Sequence, residues 1–373
     1  ALNYLKQAKY AKAEPLYLEA LQIRREVLGN KHPDTAQSLS NLALLYSNQG
    51  QYAKAEPLFL EALQIRRETV GNKHPDTATS IDLQGVLYFR QAQYAKAEPL
   101  FVEALKIRRE VLGNKHPDTA GSIDNLGDLY SDLGQYAKAE PLFVEALQIR
   151  REVLGNKHPY TAISVIRLAH HYSAQAQYFR AEILYLEALK INRETLGSKH
   201  PNTASCLGTL GLLYSNQSQY AKAEPLYLEA LDIKREVLGN KNPDTANSIN
   251  SLAVVYYHQA QYAKSEILYL EALKIRREIL GNTHPDTAES VNNLGQLYEQ
   301  QVQYPKAEPL LIEALKINRG VLGNNHPTTA KSIVNLATFY SNQAKYAKAE
   351  PLYLEALKIS TAHLQATAII QSE

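Results

Sequence analysis

The sequence is poor in the residues that build several kinds of fold and site. One cysteine, Cys206, among 373 residues excludes an internal disulfide framework. No stretch approaches the roughly 20 apolar residues that a membrane span requires. Neither sign of charge dominates, because 40 basic residues stand against 38 acidic ones. The composition therefore predicts a soluble, cytoplasmic chain with no bulk attraction to nucleic acid or to an anionic membrane.

The common signatures of catalysis are also missing from the sequence. It has no Gly-rich phosphate loop, no nucleophile elbow and no pair of carboxylates at catalytic spacing. Cys206 stands at a position that is serine in other copies of the repeat described below, such as Ser38 and Ser80, and no base is positioned beside it. The sequence therefore predicts a protein that is not an enzyme, with no catalytic, cofactor or metal site.

Neither an initiator methionine nor a signal sequence opens the chain. Residues 1–8 align with residues 43–50, which lie in the middle of a later copy of the repeat. We therefore expect the chain to begin inside a helix and to be a fragment of a longer protein.

What the sequence does contain is a repeat of 42 residues without insertion or deletion. Its marker is a glycine followed by Asn-Lys-His-Pro-Asp-Thr-Ala or a close variant, at Gly29, Gly71, Gly113, Gly155, Gly197, Gly239, Gly281 and Gly323. A fixed period is typical of stacked supersecondary units that bury their apolar faces against their neighbours. We expect one array over residues 1–373: a partial repeat over 1–28, eight further repeats over 29–359 and a divergent helical extension over 360–373.

Each copy has the pattern of two helices. Apolar or small residues recur with the three-and-four spacing of an amphipathic helix from residue 36 to about residue 49, and again from residue 55 to residue 70. We refer to the first helix of a copy as an A helix and to the second as a B helix. Gly71 is suited to the left-handed end of the B helix, and Pro75 to the start of the next A helix.

The residue types at these positions resemble the tetratricopeptide repeat. The A helix carries its large apolar, Leu-Ala and Tyr positions, and the B helix its Gly-x-Tyr, Ala, aromatic and Ala positions, at Leu39, Leu42, Ala43, Tyr46, Gly50, Tyr52, Ala55, Phe59 and Ala62. The 42-residue length and the run Ala-Leu-x-Ile-Arg-Arg-Glu-Val-Leu-Gly resemble the repeat domain of kinesin light chains. Near-identity of the copies resembles bacterial, particularly cyanobacterial, proteins of this type.

This resemblance implies an all-α fold, an α-solenoid that forms a right-handed superhelix of antiparallel helix pairs. It also implies a scaffold or adaptor that binds a protein or peptide segment as kinesin light chains bind cargo. The coiled coil that joins a kinesin light chain to its motor chain has no counterpart in the sequence, so motor assembly is not implied.

Two recurring motifs are interpreted as framework. Histidines such as His32 and His74 are expected at helix entrances, where equivalent residues lie about 8–10 Å apart and cannot share a metal ion. The Arg-Arg-Glu motif is interpreted as a solvated B-helix surface with local ion pairs, and Arg66 is expected to be exposed. His171 is interpreted as a core substitution for leucine.

Function is more readily sought where the copies differ. We use "column" for the set of equivalent positions in successive copies and name it by its first member. The A-helix columns of Gln37, Ser40, Asn41, Leu44, Ser47 and Asn48 change chemistry from copy to copy, and we refer to these six columns as the variable stripe. In the tetratricopeptide repeat this stripe lies on the concave groove where partners bind, although drift of solvent-facing positions is an alternative explanation. The candidate peptide-binding residues are Asn41, Asp82, Leu83, Val86, Phe89, Arg90, Asp124, Asn125, Asp128, Asp132, Ile163, Ile166, Arg167, His170, Asn250, Tyr257, Asn292, Asn293, Gln296, Lys331 and Asn335.

The leading hypothesis is a protein-interaction scaffold that binds an extended peptide in this groove, preferentially along residues 82–170. Phe89, Ile163 and Ile166 would accept apolar anchors, while Asp128 and its neighbours would favour a basic residue. The alternative is a structural spacer or regulatory sensor array of a larger multidomain protein. No nucleic-acid or membrane partner is predicted, and end-to-end self-association is compatible with the half-repeat at the start of the chain.

Overall fold

The computed structural model describes residues 1, 4–5 and 10–372, with side chains up to residue 361. Across these residues the regular structure consists of seventeen α-helices. Eight of them begin at a proline and are the A helices: α2 (Pro33–Asn48), α4 (Pro75–Arg90), α6 (Pro117–Asp132), α8 (Pro159–Ala174), α10 (Pro201–Asn216), α12 (Pro243–His258), α14 (Pro285–Gln300) and α16 (Pro327–Asn342). Nine begin at a tyrosine and are the B helices: α1 (Tyr10–Leu28), α3 (Tyr52–Thr69), α5 (Tyr94–Leu112), α7 (Tyr136–Leu154), α9 (Tyr178–Thr195), α11 (Tyr220–Leu238), α13 (Tyr262–Ile279), α15 (Tyr304–Leu322) and α17 (Tyr346–Ser372).

The chain divides into two compact units, residues 1–233 and residues 234–373. Within each unit, an A helix packs on the B helix that precedes it and on the B helix that follows it, and consecutive A helices also contact each other. Turns of about three residues join each A helix to its B helix, which makes the two antiparallel. Each unit is therefore an all-α stack of helix pairs of the tetratricopeptide type, as predicted. None of the described helices is both long enough and apolar enough to cross a lipid bilayer.

Each of the eight A helices begins with a side-chain cap. The ring Nδ1 of His74 accepts a hydrogen bond from the backbone N–H of Asp76 at 3.1 Å, and Pro75 follows as the first helical residue. Six other histidines do the same, while Asn242 uses its Oδ1 at 2.8 Å. The prediction that these histidines lie at helix entrances is confirmed, and an N-cap of this kind is worth about 1 kcal/mol.

The turns after the helices require positive φ angles. Gly71, which follows the end of α3, has a φ of +93°, as predicted for a helix-terminating glycine. The turn from A helix to B helix places glycine at Gly50 and Gly134, with φ angles of +69° and +70°. The second unit has Val302 in that turn, at a φ of +61°, where a β-branched side chain is strained.

The structure corrects the interpretation of the Arg-Arg-Glu motif. Arg66, the first arginine of its pair, is only 4% exposed rather than solvated. Its Nη1 donates to the Ser80 hydroxyl at 2.7 Å, and its Nη2 donates to Oε1 of Gln37 at 2.7 Å. The first arginine therefore bonds the B helix to the A helices on either side of it.

The second arginine of the motif does lie at the surface, as predicted. Arg67 pairs with Glu103 of the next B helix at 2.8 Å. The same pairing recurs within each unit at 2.6–2.8 Å, for Arg25–Glu61, Arg109–Glu145, Arg151–Glu187, Arg193–Glu229, Arg235–Glu271, Arg277–Glu313 and Arg319–Glu355. Each exposed pair contributes about 0–1 kcal/mol, so the series mainly keeps consecutive repeats in register.

Two further expectations concern the core and the end of the chain. His171 is 1% exposed, with its ring 5.4 Å from that of Phe143, which confirms that it replaces a core side chain. Helix α17 continues through residue 360 to Ser372, although the side chains after residue 361 lie outside the described residues. The division into a partial repeat, eight repeats and an extension stays a prediction.

Candidate peptide-binding site

The A helices of the first unit hold most of the predicted site residues at three levels of exposure. The buried ones are Asp82 and Asp124; the half-buried ones are Asn41, Leu83, Val86, Phe89, Asn125, Asp128, Ile166 and Arg167; the exposed ones are Arg90, Asp132, Ile163 and His170. In the second unit Asn250 and Asn292 are buried, Tyr257, Asn293, Gln296 and Asn335 are half-buried, and Lys331 is exposed. The four buried residues belong to the Ser40 column, which corrects the expectation that this column is exposed.

Asp82 is buried because an arginine of the next B helix neutralises it. Nη1 of Arg108 donates to Oδ2 of Asp82, and the Ser122 hydroxyl donates to the same oxygen at 2.9 Å. Burial raises the pKa of Asp82, and the positive charge of Arg108 opposes that shift. The three residues bond α4, α5 and α6 together. Asp82 therefore lies buried beneath the variable stripe rather than on its surface.

The same arrangement recurs one copy later and gains a further arginine. Asp124 is 1% exposed and accepts from Nη1 of Arg150. Nε of Arg167 lies 3.8 Å from Oδ2 of Asp124, and Nη1 of Arg167 donates to Asp128. The predicted acidic zone is thus largely neutralised from within: of its three aspartates, only Asp132 has no ion-pair partner among the described residues.

In this acidic zone, the pKa of one aspartate lies near neutral pH. Burial raises the pKa of Asp128 to about 7; Arg167 opposes the shift, while the carboxylates of Asp124 and Asp132 add to it. Partial desolvation of the His170 ring, which lies 5.5 Å from that of Tyr185, also lowers the pKa of His170, and the charge of Arg167 acts in the same direction. The net charge of the stripe on α6 and α8 therefore changes with pH near neutrality.

A pocket of about 390 Å³ opens between α4, α6 and α8. It is lined by Thr79, Asp82, Leu83, Val86, Arg108, Pro117, Asp118, Gly121, Asn125, Arg150, Tyr160 and Arg167. Five of these residues are predicted site residues: Asp82, Leu83, Val86, Asn125 and Arg167. The structure brings these five together and leaves the other first-unit candidates outside the pocket.

Sequence reasoning missed the two B-helix arginines that line this pocket, Arg108 and Arg150, because nearly invariant residues were assigned to the framework. A signal was present at a spacing of 26 residues. Aspartate in the Ser40 column is followed at that spacing by arginine, whereas Ile166 is followed by Asn192. Arginine also follows Ser40 and Asn250 at this spacing, so the signal is weak and does not single out the aspartates.

Two apolar candidates lie on α4, Leu83 in the pocket wall and Phe89 outside the pocket. Phe89 lies against Tyr94, with ring centroids 5.7 Å apart, and Arg90 donates to Oδ1 of Asn48 at 3.0 Å. Leu83 is half-buried whereas the adjacent Gln84 is buried. An apolar side chain therefore occupies the stripe at this copy, and the usual order of the two residues is reversed.

Amides in the second unit bond to each other across neighbouring A helices. Asn293 donates to Oδ1 of Asn250 at 3.2 Å, and Asn335 donates to Oδ1 of Asn292 at 2.8 Å. These bonds use part of the hydrogen-bonding capacity that was expected to serve a peptide backbone. Gln296 and Lys331 stay on the stripe beside them.

Known proteins similar to this chain are repeat proteins. A family model described as tetratricopeptide repeat matches residues 1–68, 40–110, 83–152, 118–178, 162–236, 214–275, 244–317 and 300–362. Comparison with curated proteins gives no match.

Among solved structures, BtubC (BKLC) from P. vanneervenii is 26% identical, with a TM-score of 0.51 over 62% of this chain and 92% of its own. A putative kinesin light chain from Podosopora anserina with nearly identical repeats is 26% identical, with a TM-score of 0.46 over 55% of this chain and 97% of its own. A Rap protein complexed with competence and sporulation factor covers 98% of this chain and 96% of its own, with a TM-score of 0.65 and 13% identity, which is a likeness of fold. The resemblance to repeats of the kinesin light chain type is confirmed, and bacterial origin stays a prediction.

Proposed function

Because the chain belongs to the tetratricopeptide repeat family, we propose that it is a protein-interaction scaffold that binds an extended peptide segment on the variable stripe of its first unit. The observation that carries this proposal is the pocket between α4, α6 and α8, whose A-helix lining differs from copy to copy above a nearly invariant framework. Clefts with apolar walls and a few placed polar groups are the usual form of a binding site.

The chemistry of the stripe suits a peptide with apolar and polar side chains in alternation. Leu83 and Val86 form an apolar wall of the pocket, beside the paired charges of Asp82 and Arg108. Asp132, which has no ion-pair partner among the described residues, would attract a basic residue at one end. Adaptor-type binding of this kind is commonly micromolar, or about −8 kcal/mol.

Selection of random 12-residue peptides on the immobilised full-length chain, followed by titration, tests the proposal. Phe89→Ala and Asp128→Lys should each weaken a selected peptide about tenfold or more. Matched controls occupy the same columns in the second unit: Tyr257→Ala for the first and Gln296→Lys for the second. Equal affinity for wild type and both first-unit variants would reject the site, and failure to select any peptide would favour the spacer or sensor alternative.

A further inference from the structure

The first arginine of each Arg-Arg-Glu motif has a second hydrogen-bonding nitrogen, Nη2, that points toward the variable stripe. In three copies the Gln37 column supplies its acceptor. Nη2 of Arg66 donates to Gln37 at 2.7 Å, and Nη2 of Arg108 donates to the Thr79 hydroxyl at 3.2 Å. Nη2 of Arg276 donates to Oδ1 of Asn247 at 2.7 Å and to Oε2 of Glu289 at 3.0 Å.

Arg150 differs from these three arginines. The two members of the Gln37 column that flank it are Gly121 and Ile163, and neither side chain contains an acceptor. Its Nη1 bonds to Asp124 and Ser164, but Nη2 has no acceptor among the described residues. The Arg150 side chain is only 9% exposed, but Nη2 is not among the fully enclosed polar atoms that lack a partner, so solvent reaches it and a peptide oxygen would replace water there.

Space for an acceptor exists beside this nitrogen. A Cβ added to Gly121 would meet only Nη2 of Arg150, at 4.0 Å, within the surrounding 4 Å. Gly121 and Arg150 both line the 390 Å³ pocket. We refer to the space above Gly121 that reaches Nη2 of Arg150 as the Gly121 notch.

The charges around the notch favour a neutral group. Arg108 pairs with Asp82 and Arg150 with Asp124, so the two positive charges that border the notch are already compensated. The pocket lining also includes an acceptor that solvent reaches, the half-buried Asn125 side chain, whereas Oδ1 of Asp82 is fully enclosed. A carboxamide offers an oxygen to the arginine and an N–H to an acceptor, whereas a carboxylate offers only oxygens.

We propose that the Gly121 notch is a subsite for an amide carbonyl of the bound peptide, best supplied by a glutamine or asparagine side chain. The partner's amide would occupy the place that Gln37 and Asn247 occupy beside Arg66 and Arg276. Leu83 and Val86 would contact the methylene groups of that side chain on the pocket wall. This inference rests on the proposed function and specifies which partner residue the stripe selects.

Gly121→Gln tests the subsite because it supplies the missing acceptor from the chain itself. Without peptide, this variant should unfold at higher urea concentration than wild type, since Arg150 gains a partner and a helical glycine is removed. Gly121→Ala is the matched control, because it removes the helical glycine without supplying an acceptor. No gain for Gly121→Gln over its control would overturn the premise that Nη2 of Arg150 lacks a partner.

Binding is measured with peptides selected on the wild-type chain, by fluorescence anisotropy. Gly121→Gln should weaken them about tenfold or more, and Ser205→Gln, a change in the same column at an exposed residue outside the pocket, less than about twofold. Replacing one glutamine or asparagine of the peptide by norleucine should weaken binding to wild type by a similar factor but leave binding to Gly121→Gln unchanged. If Gly121→Gln weakens binding but no such replacement does, the oxygen comes from the peptide main chain.

The two proposals fail differently. Selected peptides that bind wild type and Gly121→Gln equally would overturn the subsite and leave the peptide-binding function standing. Enrichment of aspartate or glutamate in place of amides, with loss of binding on their neutralisation, would contradict the neutral ligand. A selection that yields no peptide would overturn both proposals.

Discussion

The two units use the same buried position of the A helix in opposite ways. In the first unit, the Ser40 column holds Asp82 and Asp124, each paired with an arginine of the next B helix. In the second unit it holds Asn250 and Asn292, whose oxygens accept from asparagines of the next A helix. The same position therefore links an A helix to a B helix through an ion pair in the first unit. In the second unit it links two A helices through amide hydrogen bonds.

The difference affects which atoms are left for a partner. In the second unit, Arg276 has acceptors on both sides, from Asn247 and Glu289. In the first unit, Arg150 lies between Gly121 and Ile163 and keeps an N–H beside a pocket. An equivalent framework arginine can thus have all its acceptors within the chain in one copy and keep a free N–H in another, so assignment of a column to the framework does not exclude it from function.

The largest test of this comparison removes one member of a buried ion pair. Arg150→Ala should destabilise the first unit by about 3–5 kcal/mol, because Asp124 is left charged and buried without its partner. The matched change in the second unit, Asn318→Ala, removes only a neutral hydrogen bond to Ser332 of 2.9 Å and should cost about 1 kcal/mol. Hydrogen exchange of peptides from α6–α8 and α14–α16 reports the two effects separately.

A natural pair in the same unit provides the rescue control. The double variant Asp124→Ile, Arg150→Asn reproduces Ile166 with Asn192, whose side chain donates to Sγ of Cys206 at 3.1 Å. It should recover most of the stability that Arg150→Ala loses, since no charge remains buried. If Arg150→Ala alone were as stable as wild type, the buried pair would not bond the repeats together.

The fold was predictable because its signals are local. Proline at the A-helix entrance and glycine after the B helix mark the ends, and apolar spacing marks the faces. The burial of Asp82 was not predictable from its own helix, where it lies on a polar stripe. It depends on Arg108, which is 26 residues away on the B helix α5 and donates a hydrogen bond to the Asp82 carboxylate.

The candidate site was predictable only in part for the same reason. Leu83, Val86 and Asn125 were identified from variation along the A helix, and the pocket contains them. Arg150 and Gly121 were not identified, because one is framework and the other is defined by the side chain it lacks. Whether the predicted residues contact a peptide stays a prediction.

A smaller difference between the units lies in the turn from A helix to B helix. Most copies of both units place alanine or serine there at positive φ, but one copy of the first unit has Gly134 at +70° and one copy of the second has Val302 at +61°. Val302→Gly should stabilise α14–α15 by about 1 kcal/mol, because a branched side chain is unfavourable at positive φ. Gly134→Val should destabilise α6–α7 by about 1–2 kcal/mol for the same reason. Urea unfolding followed by hydrogen exchange measures both, and equal stability of each variant with wild type would show that the turns tolerate either residue.

The last expected effect is a pH dependence of stability that comes from Asp128 in the first unit. Burial raises the pKa of Asp128 to about 7, above its value in the unfolded chain, so the folded state holds a proton that the unfolded state has released. The contribution of Asp128 to stability is therefore present at acid pH and is lost as the pH rises toward and through about 7. Asp128→Asn should remove this decline, so that its urea midpoint falls less than that of wild type between about pH 5 and pH 8. Its counterpart in the same column of the second unit, Gln296, does not titrate, and Gln296→Asn should leave the wild-type decline unchanged. An equal decline in wild type and Asp128→Asn would assign the pH dependence to another group, since a neutral amide at residue 128 can neither bind nor release the proton.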